Sequence, residues 1–219
     1  MGNYVRFPIT NVVGDLVAQH RDPDEKLYAS LELNQVAFPK TGMVVSQTPL
    51  GEAFTKAAPC ENGMWVIGDK AAGAINPPSA TATAPLGIVY TTEKEYDREH
   101  YGLQRFGRKI AGDYPRVGLL GIGDTVTTNC LQYSKSNFVA TSSKTSEEVL
   151  LDALKADLTQ AANALYVVPG TDSDLADASA KAVPEIVKAA PESGAYARIV
   201  KFYTIPNGGI GVKYQIVRV

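Results

Sequence analysis

Two histidines, His20 and His100, are the chain's whole supply of the side chain that most readily moves protons near neutral pH. Each sits in charged company, His20 before Arg21-Asp22 and His100 after Arg98-Glu99, which reads as solvated surface. No GxSxG, HExxH or Walker sequence occurs to supply a nucleophile, a zinc pair or a phosphate cradle. Cys60 and Cys130 lie far apart, with neither a CxxC spacing nor a companion histidine pair, so both are expected to be reduced thiols and not metal ligands. Asp22-Pro23-Asp24-Glu25 gathers three carboxylates but lacks the alternate spacing and distal Glu of a calcium loop. Gly118-Leu119-Leu120-Gly121-Ile122-Gly123 is spaced GxxGxG and runs into a Thr-rich strand, whereas phosphate binding needs amides opening a helix, so these glycines are expected to ease a turn. The chain is therefore expected to have no catalysis, no cofactor and no metal.

The elements that would have to position any site are mainly β. The 219 residues are 45% hydrophobic and 20% charged, enough apolar content for a packed core. Residues 1–25 keep no period for long and read as an extended N-terminal arm. From Lys26, Leu27, Ala29, Leu31 and Leu33 alternate with Tyr28, Ser30 and Glu32, as in a half-buried strand. Apolar runs at Met43-Val44-Val45, Met64 to Ile67, Leu86 to Tyr90 and Val117 to Leu120, with the β-branched stretch Asp124 to Tyr133, continue a β-rich body over 26–135 and place Cys130 within a sheet. The Pro-Ala-Thr stretch 73–85 between two of these runs reads as a surface loop. The period then changes. Thr145 with Glu148 forms a capping-box pattern ahead of Val149, Leu150, Ala153, Leu154, Leu158, Ala161 and Leu165, which predicts a helix of about 20 residues. Leu175 to Ala190 is expected to be a second helix, broken or restarted at Pro184. Together these make 136–195 a helical insertion.

The chain closes on a hairpin over 196–219. Asn207-Gly208 suits a two-residue turn, which would set Ile205 opposite Ile210, Tyr203 opposite Val212 and Ile199 opposite Ile216. Tyr203, Ile205, Ile210, Val212 and Ile216 would then share an apolar face, with Phe202, Lys213, Arg198 and Gln215 on the other. The fold class is thus mainly β, barrel or sandwich-like, with a helical insertion, α+β overall.

With 21 basic and 23 acidic residues the net charge is −2, too small to build a strong field by excess alone, and nucleic acid is not expected as a partner. No run nears the ~18 apolar residues of a membrane span, and the first residues lack the order of a signal peptide, so a soluble, non-exported chain is expected. Positive charge gathers in two places: Arg105, Arg108 and Lys109, and the hairpin, whose Arg198, Lys201, Lys213 and Arg218 stand among no acids. Strand faces of this sign suit an acidic partner protein, and the helix acids of a second copy are one such partner. Val5 and Phe7 of the arm complete the candidate contact set.

Three segments resemble the small head proteins of tailed bacteriophages that decorate or cement the capsid. They are Val89 to Asp97 with Gly102 to Phe106, then Gly123 to Asn129, and Tyr203 to Gly208 running into Gly211 to Tyr214. The resemblance covers about the C-terminal two-thirds of the chain and carries no catalytic residues; the first 85 residues lie outside it. It implies a structural virion protein that is made in the host cytoplasm, binds the outside of the capsid and reinforces it. Its partners would be the major capsid protein and copies of itself, a trimer being one option. A tail-tube or connector subunit is the alternative within the virion. A carbohydrate-binding β domain is the alternative from another class, with Trp65 and nearby tyrosines lining a groove.

Overall fold

The computed structural model describes residues 4–6, 44–45, 48–69, 73–78, 85–90, 108–170, 181–204 and 210–219. Within them, the short apolar runs punctuated by Gly and Pro form strands: β1 (Tyr4–Arg6), β2 (Val44–Val45), β3 (Cys60–Glu61), β4 (Trp65–Asp69), β5 (Ala74–Asn76), β6 (Leu86–Val89), β7 (Arg108–Lys109), β8 (Val117–Leu119), β9 (Thr125–Thr128) and β10 (Gln132–Ser134). One α-helix, α1 (Ser146–Lys155), precedes β11 (Tyr166–Val168), β12 (Glu185–Val187), β13 (Tyr196–Thr204) and β14 (Ile210–Arg218). The fold is mainly β and α+β overall, as the sequence predicts.

A seven-stranded mixed sheet runs β1-β10-β12-β11-β13-β14-β9, and a five-stranded antiparallel sheet runs β2-β8-β6-β4-β5. In the larger sheet β9 and β10 lie five strand spacings apart, about 24 Å if the sheet were flat. Yet only residues 129–131 join them, and four extended residues reach about 14 Å. The sheet must therefore roll until its ends approach, the barrel-like solution.

The central strands of the smaller sheet, β4 and β6, contribute to cores on both of their faces. Trp65, Leu86 and Ile88 join the core made with Val126, Tyr133, Val167, Ile199, Val212, Tyr214 and Ile216. Their neighbours Val66 and Val89 enter a second core with Leu50, Phe54, Cys60, Ile75 and Cys130. Strands buried twice read as unbroken apolar runs, which is why 64–67 and 86–90 show no alternation. Between the sheets the Trp65 Nε1–H donates to the Tyr214 hydroxyl at 2.9 Å, with the rings edge to face at 5.8 Å. Gly63, at φ +92°, brings the β3–β4 turn against the β9–β10 link, where a Cβ would lie 2.6 Å from the Cys130 Cβ.

Several expectations are corrected. The helix keeps its capping box, with Thr145 and Glu148 exchanging both bonds, and buries Leu150 and Leu154. It ends at Lys155, however, because the Asp157 carboxylate accepts from the Thr159 N–H and hydroxyl and stabilises a turn instead. Leu158 and Leu165 reach the core from outside the helix. The second helix does not form over 181–190: Glu185–Val187 is strand β12, parallel to β10 and antiparallel to β11, with Ile186 in the core. The segment 136–195 thus holds the helix and also supplies two strands of the large sheet. Cys130 lies in the β9–β10 link and not within a strand, since its N–H turns back to the Thr128 hydroxyl. The strand expected at 27–33, both histidines and most of 1–25 lie outside the described residues.

The hairpin forms one residue out of the expected register. Phe202 pairs with Val212 and Thr204 with Ile210, so the ladder centres on residue 207; the turn itself lies outside the described residues. Register shifts at Val200 and Val217 mark a bulge in each strand, and a bulge inverts the in–out alternation beyond it. Ala197 and Ile199 point inward before Val200, and after it Phe202 packs on the core. Tyr203 and Phe202 thereby exchange their expected faces.

The chain's single tryptophan makes it a reporter of its own core. Tyr214→Phe keeps the ring but leaves the buried indole N–H without its acceptor, which should cost about 1 to 3 kcal/mol. Urea titration followed by Trp65 fluorescence is the check; an unchanged midpoint would mean that the hydrogen bond contributes nothing net.

Candidate interaction surface

The outward face of the C-terminal hairpin collects the positive charge. From β13 it presents Arg198, Val200, Lys201 and Tyr203, and from β14 Lys213, Gln215 and Val217. Lys201 stands directly opposite Lys213 and Arg198 opposite Gln215. The bulges hold two valines in solvent, Val200 52% and Val217 37% exposed, where a regular ladder would have turned Val200's neighbours differently.

The four hairpin cations divide by what they touch. The Arg198 Nη2 donates to the main-chain carbonyls of Leu158 (3.0 Å) and Thr159 (3.3 Å), tying the turn after α1 to β13. Arg218 donates to the carbonyls of Gly194, Glu192 and Pro191, and its guanidinium lies 4.7 Å from the Tyr196 ring centre. Both are arginines because a planar fork can serve several carbonyls at once. The two lysines have no such anchor: the Lys201 ammonium lies 5.9 Å from the Tyr203 ring centre, over exposed strand. Two like charges held opposite each other are poor for the ladder and good for an anion.

The structure does not assemble the whole predicted contact set here. Arg108 and Lys109 form β7, paired with Glu61 and Cys60 of β3 in a separate two-stranded sheet and not with the hairpin strands. Val5 stands opposite Tyr133 in the β1–β10 ladder of its own chain. Arg105 and Phe7 lie outside the described residues. Arg198, Lys201 and Lys213 do share one face, together with Val200, Val217 and Tyr203, which the sequence reading left out. The valines fall outward by simple alternation with Arg198 and Gln215; it is Lys201 and Tyr203 that the bulge at Val200 turns to the same face.

Among the described residues, Trp65, Tyr214 and both cysteines are buried. Trp65 is fully buried and spends its N–H on Tyr214, so it cannot line a sugar-binding groove. Burial pushes the Tyr214 phenol well up, against the pull of the Trp65 donor. Cys60 and Cys130 are buried thiols; burial raises the Cys60 pKa, and the neighbouring Cys130 and Glu61 add to the rise, so it is kept from the reactive thiolate. Among the described residues no group of three His, Cys, Asp or Glu is placed to hold a metal, and no helix is long and apolar enough to cross a membrane. The glycine run 118–123 forms the end of β8 and its turn, with Gly123 at φ +95° and the Gly121 N–H donated to Asp124 at 2.7 Å. No protein-family model, curated protein or solved structure matches the chain.

Two outcomes follow from this division of labour. Lys213→Glu should be neutral or slightly stabilising in thermal melts, because it turns a like-charge pair with Lys201 into an opposite one worth about 0.2 to 1 kcal/mol. Arg218→Ala removes donors to three carbonyls and should be destabilising in the same melts. Asp124 gives a pH signature: burial raises its carboxyl above the ordinary 3.8, outweighing the Gly121 N–H that lowers it. The folded state then holds that proton longer than the unfolded one, so this group's share of stability falls as pH rises from about 3.8 through the folded-state value. Asp124→Asn, which keeps an acceptor for Gly121, should flatten that part of the melting-temperature profile.

Proposed function

We propose that this chain is a structural virion protein that binds the outside of a bacteriophage capsid and reinforces it, without catalysis. One observation supports it most: the hairpin presents outward lysines, exposed valines and a tyrosine with no acid along either strand. That mixture suits a protein partner better than a nucleic acid. Phosphate contact wants several unencumbered cations, whereas here Arg198 and Arg218 are bound to carbonyls. Apolar anchors rimmed by charge are what a specific protein interface uses, the charge setting encounter and register and the anchors setting residence. The resemblance of 89–97 with 102–106, 123–129, and 203–208 with 211–214 to capsid decoration proteins points to the shell as the partner, and the positive hairpin face suits an acidic patch on it. A rolled sheet with both cores closed gives such a face a rigid base.

The test is rebinding to capsids of the parent virus stripped of this protein. Wild-type protein should co-sediment with them, less so as salt rises, and Lys201→Glu with Lys213→Glu should reduce retention at least about tenfold while leaving the melt unchanged. Full retention of the doubly reversed protein would remove the hairpin face from the interface. Immunogold labelling on the tail and not the head would replace the decoration role by the tail-tube or connector one.

A further inference from the structure

The chain's two cysteines have no part in the shell-binding face, and the fold carries both, fully buried, into the second core. Cys60 opens β3, and Cys130 lies in the three-residue link after β9. The turn 61–64 follows Cys60 directly and is closed by the Met64 N–H on the Glu61 carbonyl at 3.3 Å, while the Met64 Sδ accepts from the Glu61 N–H at 3.3 Å. Gly63 of that turn presses on the other cysteine. A Cβ at Gly63 would lie 2.6 Å from the Cys130 Cβ and 3.5 Å from its Sγ. The link is fixed where it meets the turn, the Cys130 N–H donating to the Thr128 hydroxyl at 2.9 Å. The two thiols also sense each other, since a charge on Cys130 is among the influences that raise the Cys60 pKa.

We propose that Cys60 and Cys130 are a dithiol that closes into an intrachain disulfide under oxidising conditions and staples the β3–β4 turn to the β9–β10 link. The oxidant is a small-molecule disulfide. One cysteine thiolate attacks it, forming a mixed disulfide and expelling one small thiol; the second cysteine thiolate attacks the protein sulfur of that bond and expels the other. Two cysteines are oxidised, one small disulfide is reduced to two thiols, and the two cysteine protons end on those thiols. The position of the pair makes the bridge effective. Residues 61–129 between them contain β4, β5, β6 and β8 of the smaller sheet and β9 of the larger, so the bond closes a long loop around one whole side of the fold. Long loops are those whose closure most constrains the unfolded chain. Burial, which holds the Cys60 thiol in its protonated form, makes closure slow and keeps the pair reduced while the chain folds. On the virion role proposed above, release from a reducing host cytoplasm supplies the change of conditions; the bridge itself does not depend on that role.

The test incubates the full-length protein with oxidised glutathione at about pH 8.5, near the ordinary thiol pKa, then quenches in acid and alkylates in denaturant. Intact mass should show a monomer lighter by two hydrogens with no alkylated thiol, and a peptide map should join Cys60 to Cys130. The bridged protein should melt at least about 4 °C higher than the reduced protein, and dithiothreitol should reverse the gain. Cys60→Ser and Cys130→Ser, treated alike, should each lack both the lighter species and the gain. A second route removes the barrier of burial: unfolded, reduced protein is refolded in the same glutathione buffer, where both thiols begin exposed. Closure by either route supports the bridge. Two alkylated thiols, glutathione left on either cysteine, or a bond between chains as the product of both routes would overturn it, and a bridged monomer that melts no higher than the reduced one would overturn the staple. Neither readout involves capsids, so the bridge and shell binding stand or fall separately.

Discussion

The three residues joining β9 to β10 constrain everything around them. Because they link strands near opposite ends of the large sheet, the sheet has to roll, and the roll creates an interior that must be filled to the density of a protein core. Four of the largest fully buried side chains among the described residues meet there: Trp65 and Tyr214, edge to face, and Tyr133 against Phe138 at 5.6 Å, also edge to face. The helix α1 adds Leu150 and Leu154, and the smaller sheet adds its inner face. Gly63 then matters because it is the turn residue lying on the link itself, at a positive φ and with no room for a side chain.

Placing the smaller sheet between two cores has its own requirements. Strands buried on both faces cannot expose a polar row, so β6 is all apolar or glycine, and Gly87 sits where a Cβ would come within 2.4 Å of Val117. The indole N–H that β4 carries into this interior is matched by a hydroxyl from the opposite sheet. A hydrogen bond between two rings already in edge contact fixes the depth and the rotation of one sheet on the other, which apolar packing alone specifies less sharply.

What could be read from the sequence follows how local each cause is. The helix start was legible because the capping box joins residues three apart. Its end was not, since a side-chain turn at Asp157 competes with a helical pattern that Leu158 and Leu165 continue in sequence while leaving it in space. Residues 185–187 carry an Ala-rich flank that favours helix, and pairing with β10 and β11 overrides it. The hairpin was visible as two strands, but its register depended on bulges that no pair of neighbouring residues announces. The positive face was legible as composition and only partly as geometry: which cations face outward unanchored emerged from the carbonyls that Arg198 and Arg218 reach across 24 residues or more.

That last division explains how one hairpin can be core on one face and leave unanchored cations on the other. Its inward residues, Ala197, Ile199, Val212, Tyr214 and Ile216, are held in the main core. Its arginines hold the turn after α1 and the 191–194 loop, so the elements flanking the face are fixed through the same strands. The lysines and the two bulge valines are then left on a surface whose backbone cannot easily move. A face built this way loses little conformational entropy when it docks, and most of what it surrenders is the motion of two lysine side chains. Rigid strands that cost little to order, with charged side chains left free above them, give this face a fixed pattern of charge and apolar anchors.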